Sequence, residues 1–365
     1  MKYELDLRKF WEENDTGFSP FDTTKARVPI DLPFDDHYLL EFMAADSTVR
    51  YFKDRDYRLG LHRKCNDLME KEIGLRFFHE TEDMVLQPNR FEVIMGAHWE
   101  MAEGGTPWLE STVETIEDVQ ELIKKAEKLD MKKAAFPEGW FEEKEAFEKT
   151  SGKKMRLGGQ GHRGPATMAT SILGTTNTCM FIMDEPEVMK EFFVLLTEKM
   201  VEYHKALMEA TGNTVGKKYW ITDDNCYLFP PKQYLEFCAP FLARVFAEFA
   251  PNPGDERYQH SDSAMGHLMG ILNDVGVNST NFGPTIHPLE IRKAMPKAVI
   301  NGQMPPFLLR NGTPEEIIET VRRDIDSVGR DGGLVEKTAG SIAGGTPLEN
   351  VRIYMWAVDK YGRYR

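Results

Sequence analysis

The sequence predicts an α/β protein closed into a (β/α)8 barrel of the TIM type. Three observations predict it. β-prone runs alternate with amphipathic helical stretches along most of the 365 residues, and such alternation implies a parallel sheet with helices outside it. The strand-like runs start near 27, 75, 154, 216, 256, 277, 298 and 333, and eight units suggest closure of the sheet on itself. Polar residues collect where these runs end, the side on which such barrels carry their chemistry. An open doubly wound sheet is the alternative architecture.

Residues 1–26 read as a polar N-terminal arm, and 27–365 as one barrel domain. Arg27-Val-Pro-Ile-Asp-Leu is the first strand, followed by a helix from Asp35 to Ala45 with acidic residues at its start. Tyr57 to Ile73 is a helix with Leu61, Cys65, Leu68 and Met69 on one face, and Gly74 suits its end. Leu75 to Glu80 is the second strand. Residues 88–112 read as a β-hairpin insertion. Phe91-Glu-Val-Ile-Met and Trp108-Leu-Glu are its β-prone runs, with the turn cluster Glu103-Gly-Gly-Thr-Pro between them. Thr115 to Leu129 is a helix with a hydroxyl cap and first-turn acids. The charged and aromatic stretch 130–153 reads as surface.

From residue 154 the alternation is regular. Lys154 to Gln160 is a strand, then a small-residue helix follows Gly164-Pro165. Glu185 to Thr211 is a long helix with Pro186 in its first turn, where proline is tolerated. Gly216 to Thr222 is a strand and Pro231 to Phe249 a helix. The later pairs are a strand from Arg257 with a helix Ala264–Val275, then Val277–Phe282 with Pro288–Ala294. Ala298–Gln303 with Thr313–Val328, and Leu334–Glu336 with Pro347–Val358, complete the count.

Composition narrows the function. The formal net charge is −14, with both signs mixed along the chain, which disfavours nucleic acid or an anionic membrane as partner. No run of about 18 apolar residues is present to span a bilayer, and the first ten residues are too charged for a secretory signal. Cys65, Cys179, Cys226 and Cys238 show no CxxC spacing and read as reduced thiols of a cytoplasmic protein.

The focal stretch is Arg257-Tyr258-Gln259-His260-Ser261-Asp262-Ser263. In an extended segment alternate residues point to one side, so His260 and Asp262 face one site together. They suit a metal, or a base with its orienting acid. Glu336 ends a strand and is the expected third ligand, with Cys226 and Asp224 as other choices. Ligation rich in carboxylate is harder than thiolate ligation and suits activation of oxygen over sulfur. Asp223 and Asp224 end another strand, with helix capping as their bland alternative. His162 and Arg163 suit a substrate carboxylate or phosphate. Tyr258, Asn281 and Gln303 complete the expected substrate-binding set, although Asn281 and Gln303 serve equally well as backbone-bonding loop residues. Gly159-Gln-Gly-His-Arg-Gly164 spells GxGxxG. No acidic strand end follows about 20 residues later, so a dinucleotide site is disfavoured.

From about residue 57 onward the chain resembles the uroporphyrinogen decarboxylase superfamily, which includes corrinoid-linked methyltransferases. The resemblance is carried by Gly164-Pro-Ala-Thr-Met-Ala, by Asp223-Asp224 with Pro230-Pro-Lys-Gln-Tyr-Leu-Glu-Phe, and by His260-Ser-Asp. Asn301-Gly-Gln and Gly344-Gly-Thr-Pro-Leu-Glu-Asn-Val add to it. It implies a (β/α) barrel. The true decarboxylase has an Arg-Gln-Ala-Gly-Arg motif where this chain reads Arg27-Val-Pro-Ile-Asp-Leu, so the resemblance is closer to the methyltransferase branch. That branch holds zinc through His-x-Cys and a later Cys. His260 matches the His, Asp262 stands at the first Cys position and Gly340 at the second. The resemblance implies a methyltransferase component of a corrinoid-dependent demethylase system, acting on a small methylated or methoxylated molecule. Zn²⁺ would be held by His260, Asp262 and Glu336, and a methylcobamide would be carried by a separate cobalamin-binding protein. Catalytic roles would fall to His260, Asp262, Asp223 and Asp224. A lyase that decarboxylates a small or tetrapyrrole acid, with Arg163 on a carboxylate and Asp223 as proton donor, is the second reading. A non-catalytic corrinoid- or tetrapyrrole-binding barrel is the third. A homodimer stays open.

Overall fold

The computed structural model describes residues 3–19, 21–81, 86–101, 103, 108–155 and 161–364. The chain divides into two compact units. One comprises Met1–Thr81, Gln259–Asn273 and Val277–Arg365, the other Glu82–Tyr258 and Asp274–Gly276.

Among the described residues the strands form two sheets. A hairpin pairs β1 (His98–Glu100) with β2 (Trp108–Glu110), and a six-stranded sheet has the order β3 (Gly161–Arg163), β4 (Lys218–Thr222), β5 (Glu256–Ser261), β6 (Ser279–Phe282), β7 (Val299–Asn301), β8 (Leu334–Val335). Sequential order with helices in every connection is the pattern of a parallel barrel wall. Register is parallel where β3 meets β4 (Arg163 opposite Thr222), where β6 meets β7 (Thr280 opposite Ile300) and where β7 meets β8 (Asn301 opposite Val335).

In the first unit the segment expected as the first strand meets the end of β8. Ile30 makes a parallel bridge to Glu336, with Asp31 N donating to Glu336 O and Glu336 N to Pro29 O, both at 2.8 Å. Residues of β6 and β8 are buried along their whole length, as parallel strands covered on both faces require. Three helices of this unit open with proline in the first turn, Pro288–Ala294, Pro306–Asn311 and Pro314–Asp324. There the missing N–H is one the helix would leave unpaired anyway. Thr313 and Glu316 form a capping box on the third. The closing helix Leu348–Tyr361 buries Val351, Tyr354, Met355 and Val358.

The N-terminal arm, expected to be partly ordered, carries a short helix. Helix Leu7–Glu12 buries Phe10, Trp11 Nε1 donates to Ile73 O at 2.7 Å, and the buried Arg27 guanidinium donates to Phe10 O at 3.0 Å. Leu75–Glu80 forms no strand. Asn66, on helix Arg55–Ile73, accepts from both Phe77 N and Phe78 N at 2.9 Å. That side chain takes the amides a ladder would have used, an override of local β-propensity.

In the second unit Phe91–Ile94 is helical, and the hairpin consists of β1 and β2 alone. Phe91, Glu92 and Met95 are buried while Val93 is exposed, a helical spacing that four β-prone residues conceal. The turn cluster at 104–107 and residues 156–160 of the expected third strand lie outside the described residues, as do Gly159 and Gln160 of the GxGxxG stretch. The stretch 130–153 is not mere surface. It holds helices Met131–Ala134 and Trp140–Ser151, and Trp140 is fully buried with its ring 4.4 Å from that of Phe136. The expected helix from Pro231 to Phe249 is interrupted by a π-turn at Tyr234–Cys238. Pro240 has no N–H to give, so the regular ladder breaks just before it. Among the described residues no helix is long and apolar enough to cross a membrane.

Removing a fully buried indole leaves a cavity that costs about 3–5 kcal/mol. Trp140→Ala should therefore lose stability of that order in urea unfolding. A loss within about 0.5 kcal/mol, the range of a surface change, would show that 130–153 is peripheral after all.

Candidate functional site

The strand ends of the first unit gather His260, Asp262, Asn281 and the segment 338–340. Along β5 the burial alternates, with Gln259 and Ser261 inside and His260 turned to the other side, so the period of two carries His260 and Asp262 to a common side. Their Nε2 and Oδ1 atoms lie 3.3 Å apart, with 16% of the His260 side chain and 57% of the Asp262 side chain exposed. The other imidazole nitrogen, Nδ1, lies 2.7 Å from Asn281 Oδ1. Asn281, buried on β6, also accepts from Gly340 N at 3.0 Å and donates to Thr338 O at 2.9 Å and to Asn301 O. All four of these Asn281 partners are protein groups.

Gly340 has φ +95°, and a Cβ on it would stand 2.9 Å from Asp262 Oδ1. The carboxylate occupies the space a side chain at 340 would need. A thiolate-type zinc site with ligands at 262 and 340 therefore does not fit these residues. A nitrogen–oxygen pair from His260 and Asp262 does fit a harder divalent cation.

Glu336 does not complete this pair. It is fully buried and faces the closing helix, where its Oε2 accepts from Tyr354 Oη at 3.0 Å. Among the described residues no cluster of ligand atoms joins it to His260 and Asp262. Burial, with the Asp324 charge adding, pushes its carboxyl well above the usual carboxylate range. Burial raises Asp324 too, opposed by Arg323, which donates to it at 2.7 Å. Gln303 is partly occupied within the protein, its backbone N and side-chain Nε2 donating while its buried Oε1 accepts no bond from the described residues. Its N donates to Asp324 Oδ2 and its Nε2 to Ile286 O, both at 3.1 Å.

The second unit holds the remaining candidates at the ends of β3 and β4. His162 Nδ1 is 3.9 Å and Arg163 Nε 3.6 Å from Glu92 Oε1, and Arg163 Nη1 donates to Ser171 Oγ at 3.1 Å. Glu92 lies in a run whose β-prone residues predict a strand, although it is helical. Its signal was an acid inside an apolar run. Burial lowers the His162 pKa, with Glu92 opposing. Burial also drives His204 down to about 3, and its Nε2 sits 3.1 Å from Tyr219 Oη. Asp223 is fully buried and raised to about 7, chiefly by burial, with the bond from Thr167 N at 2.8 Å opposing and the Asp224 charge adding. That bond also makes Asp223 a cap of helix Pro165–Leu173, and a Cβ on Gly164 would collide with its carboxyl. Asp224 opens the turn Asp224–Leu228. The Tyr258 ring takes Lys218 Nζ 4.9 Å from its centroid.

The uroporphyrinogen decarboxylase (URO-D) family profile matches residues 91–361. The chain belongs to the uroporphyrinogen decarboxylase family. This member is structurally similar to a methyltransferase from Methanosarcina mazei, with TM-score 0.61 and 17% identity over 92% of this chain and 94% of that one. A B12-independent methionine synthase from Shewanella sp. W3-18-1, in complex with selenomethionine, gives TM-score 0.38 and 13% identity over 73% of each chain. No curated protein matches the chain. The family and the first of these likenesses show an α/β, TIM-barrel-like fold, in agreement with the parallel sheet.

Glu336 has a folded pKa above its unfolded one. Its stabilising contribution is therefore complete below about pH 4, near the unfolded value, and is lost as pH rises toward the raised folded value, by up to about 1.4 kcal/mol per pH unit. Glu336→Gln keeps an acceptor for Tyr354 without that proton linkage. It should be more stable than wild type at pH 8, with the gain shrinking toward pH 5. A gain independent of pH would show that the Glu336 carboxyl is not raised by its burial.

Proposed function

We propose that this chain is a methyltransferase, the substrate-handling component of a corrinoid-dependent demethylase system for a small methylated or methoxylated molecule. The observation that carries the reading is the close approach of His260 Nε2 and Asp262 Oδ1 at 3.3 Å, at the end of a parallel strand. In barrel enzymes that is the side on which chemistry is done. The likeness to the Methanosarcina mazei methyltransferase, which extends over nearly the whole of both chains, supports it.

His260 and Asp262 would hold a divalent cation such as Zn²⁺, which supplies Lewis acidity toward the heteroatom that bears the methyl group. A reduced corrinoid on a partner protein would supply the electron pair that accepts the methyl group, while the heteroatom would keep the pair of the broken carbon–heteroatom bond and take a proton from water. His260 and Asp262 orient the heteroatom.

One observation favours a second reading, a decarboxylating lyase. A carboxyl raised to about 7 is partly protonated near neutrality, which suits a proton donor. Asp223 directly follows Thr222, the residue opposite Arg163 in the sheet. In that reading Arg163 binds a substrate carboxylate and Asp223 protonates the carbon left by CO₂.

His260→Ala and Asp262→Ala should each lose bound Zn²⁺ and slow methyl transfer to a reduced corrinoid protein by about 100-fold or more. Metal content by mass spectrometry, with methylcobamide formation followed by absorbance, measures both. Full transfer activity in metal-free variants would sink the proposal. Release of CO₂ from a candidate acid, abolished in Asp223→Asn, would establish the second reading in its place.

A further inference from the structure

We propose that Asn281 is the positioning residue of this site. Its side-chain oxygen holds His260 in the tautomer with the proton on Nδ1, so that the Nε2 lone pair faces Asp262. The inference rests on the reading of His260 and Asp262 as a cation-holding pair.

Which end of the Asn281 amide is oxygen follows from its partners. Gly340 N is a backbone donor 3.0 Å from one end, so that end accepts. Thr338 O, at 2.9 Å, and Asn301 O are carbonyl acceptors at the other end, so that end donates. The reverse orientation would set donor against donor once and acceptor against acceptor twice. An amide oxygen only accepts, and His260 Nδ1 lies 2.7 Å from it. Nδ1 must therefore carry hydrogen. In neutral imidazole the other nitrogen then bears the lone pair.

That lone pair meets Asp262 Oδ1 at 3.3 Å. Two acceptors so placed attract only through a shared cation, either a proton on Nε2 or a metal ion. A metal-ligating histidine commonly donates its other N–H to an oxygen acceptor, which fixes the ring and its tautomer, and Asn281 supplies that acceptor. Gly340 serves the same arrangement twice. Its N–H fills the first lone pair of Asn281 Oδ1, and its missing Cβ leaves the Asp262 carboxylate room. A purely structural Asn281 would need only its bonds to the three backbone groups. The bond to Nδ1 is the one that exceeds that role.

The test is NMR of [¹⁵N]histidine-labelled full-length protein at pH 8 without metal. The His260 signal is assigned by its loss in His260→Ala. Wild type should carry the proton on Nδ1. Asn281→Asp, which keeps an acceptor, should retain that tautomer. Asn281→Ala should shift toward the Nε2–H form that free imidazole side chains prefer. Calorimetric Zn²⁺ titration should show affinity falling about 10–100-fold in Asn281→Ala and staying near wild type in Asn281→Asp. A neutral wild-type His260 whose single proton sits on Nε2, leaving Nδ1 bare, overturns the proposal, whether or not the variants fold. So does an unchanged tautomer in folded Asn281→Ala. If wild type binds no Zn²⁺, the cation reading fails while the tautomer result still decides the role of Asn281.

Discussion

One buried amide ties the strand ends of the first unit together. Asn281 on β6 reaches back to His260 on β5, forward to the carbonyl of Asn301 on β7, and on to Thr338 and Gly340 beyond β8. Four consecutive segments of a parallel sheet are thereby fixed at their C-terminal ends by one side chain. Backbone ladders set strand spacing but not where the ends stop, because outgoing loops leave carbonyls and amides unpaired. Asn281 satisfies three of those groups and spends its last lone pair on the imidazole. The geometry of His260 is thus inherited from the sheet, which is how a rigid scaffold gives a side chain a defined direction.

Carboxyls in this protein have different fates, and position decides them. Asp262 stays largely exposed beside an imidazole. Glu336 lies against Tyr354, its carboxyl pushed well above the usual carboxylate range by burial and by Asp324. Asp223 sits between these extremes, sharing its work between capping helix Pro165–Leu173 and holding a proton near neutrality. Desolvation alone raises each buried acid, and neighbouring donors set how far. A carboxyl that loses solvent but keeps a backbone N–H, as Asp223 does, is held within reach of neutral pH, where it can serve acid–base chemistry.

Asp262 and Gly340 are linked in space. A side chain at 340 and the carboxylate at 262 would claim the same volume. The absence of a side chain at 340 is what leaves the Asp262 carboxylate its room.

Periodicity and strand-end chemistry alone determined the βα alternation, the positions of β4 to β8, and the common side of His260 and Asp262, because a period of two is a local property of an extended chain. Proline and glycine punctuation placed the helices of the second half to within a few residues. Contacts between residues distant in sequence decided the rest. Asn66 denied Leu75–Glu80 its ladder, burial of Phe91 and Glu92 made a helix of a β-prone run, and Trp140 drew a charged stretch into a core. A strand end in the sequence also gives no sign of which face its last residue takes, since one residue of register reverses it. Only the tertiary structure could turn Glu336 toward Tyr354, place Glu92 beside Arg163, and make Asn281 the partner of His260.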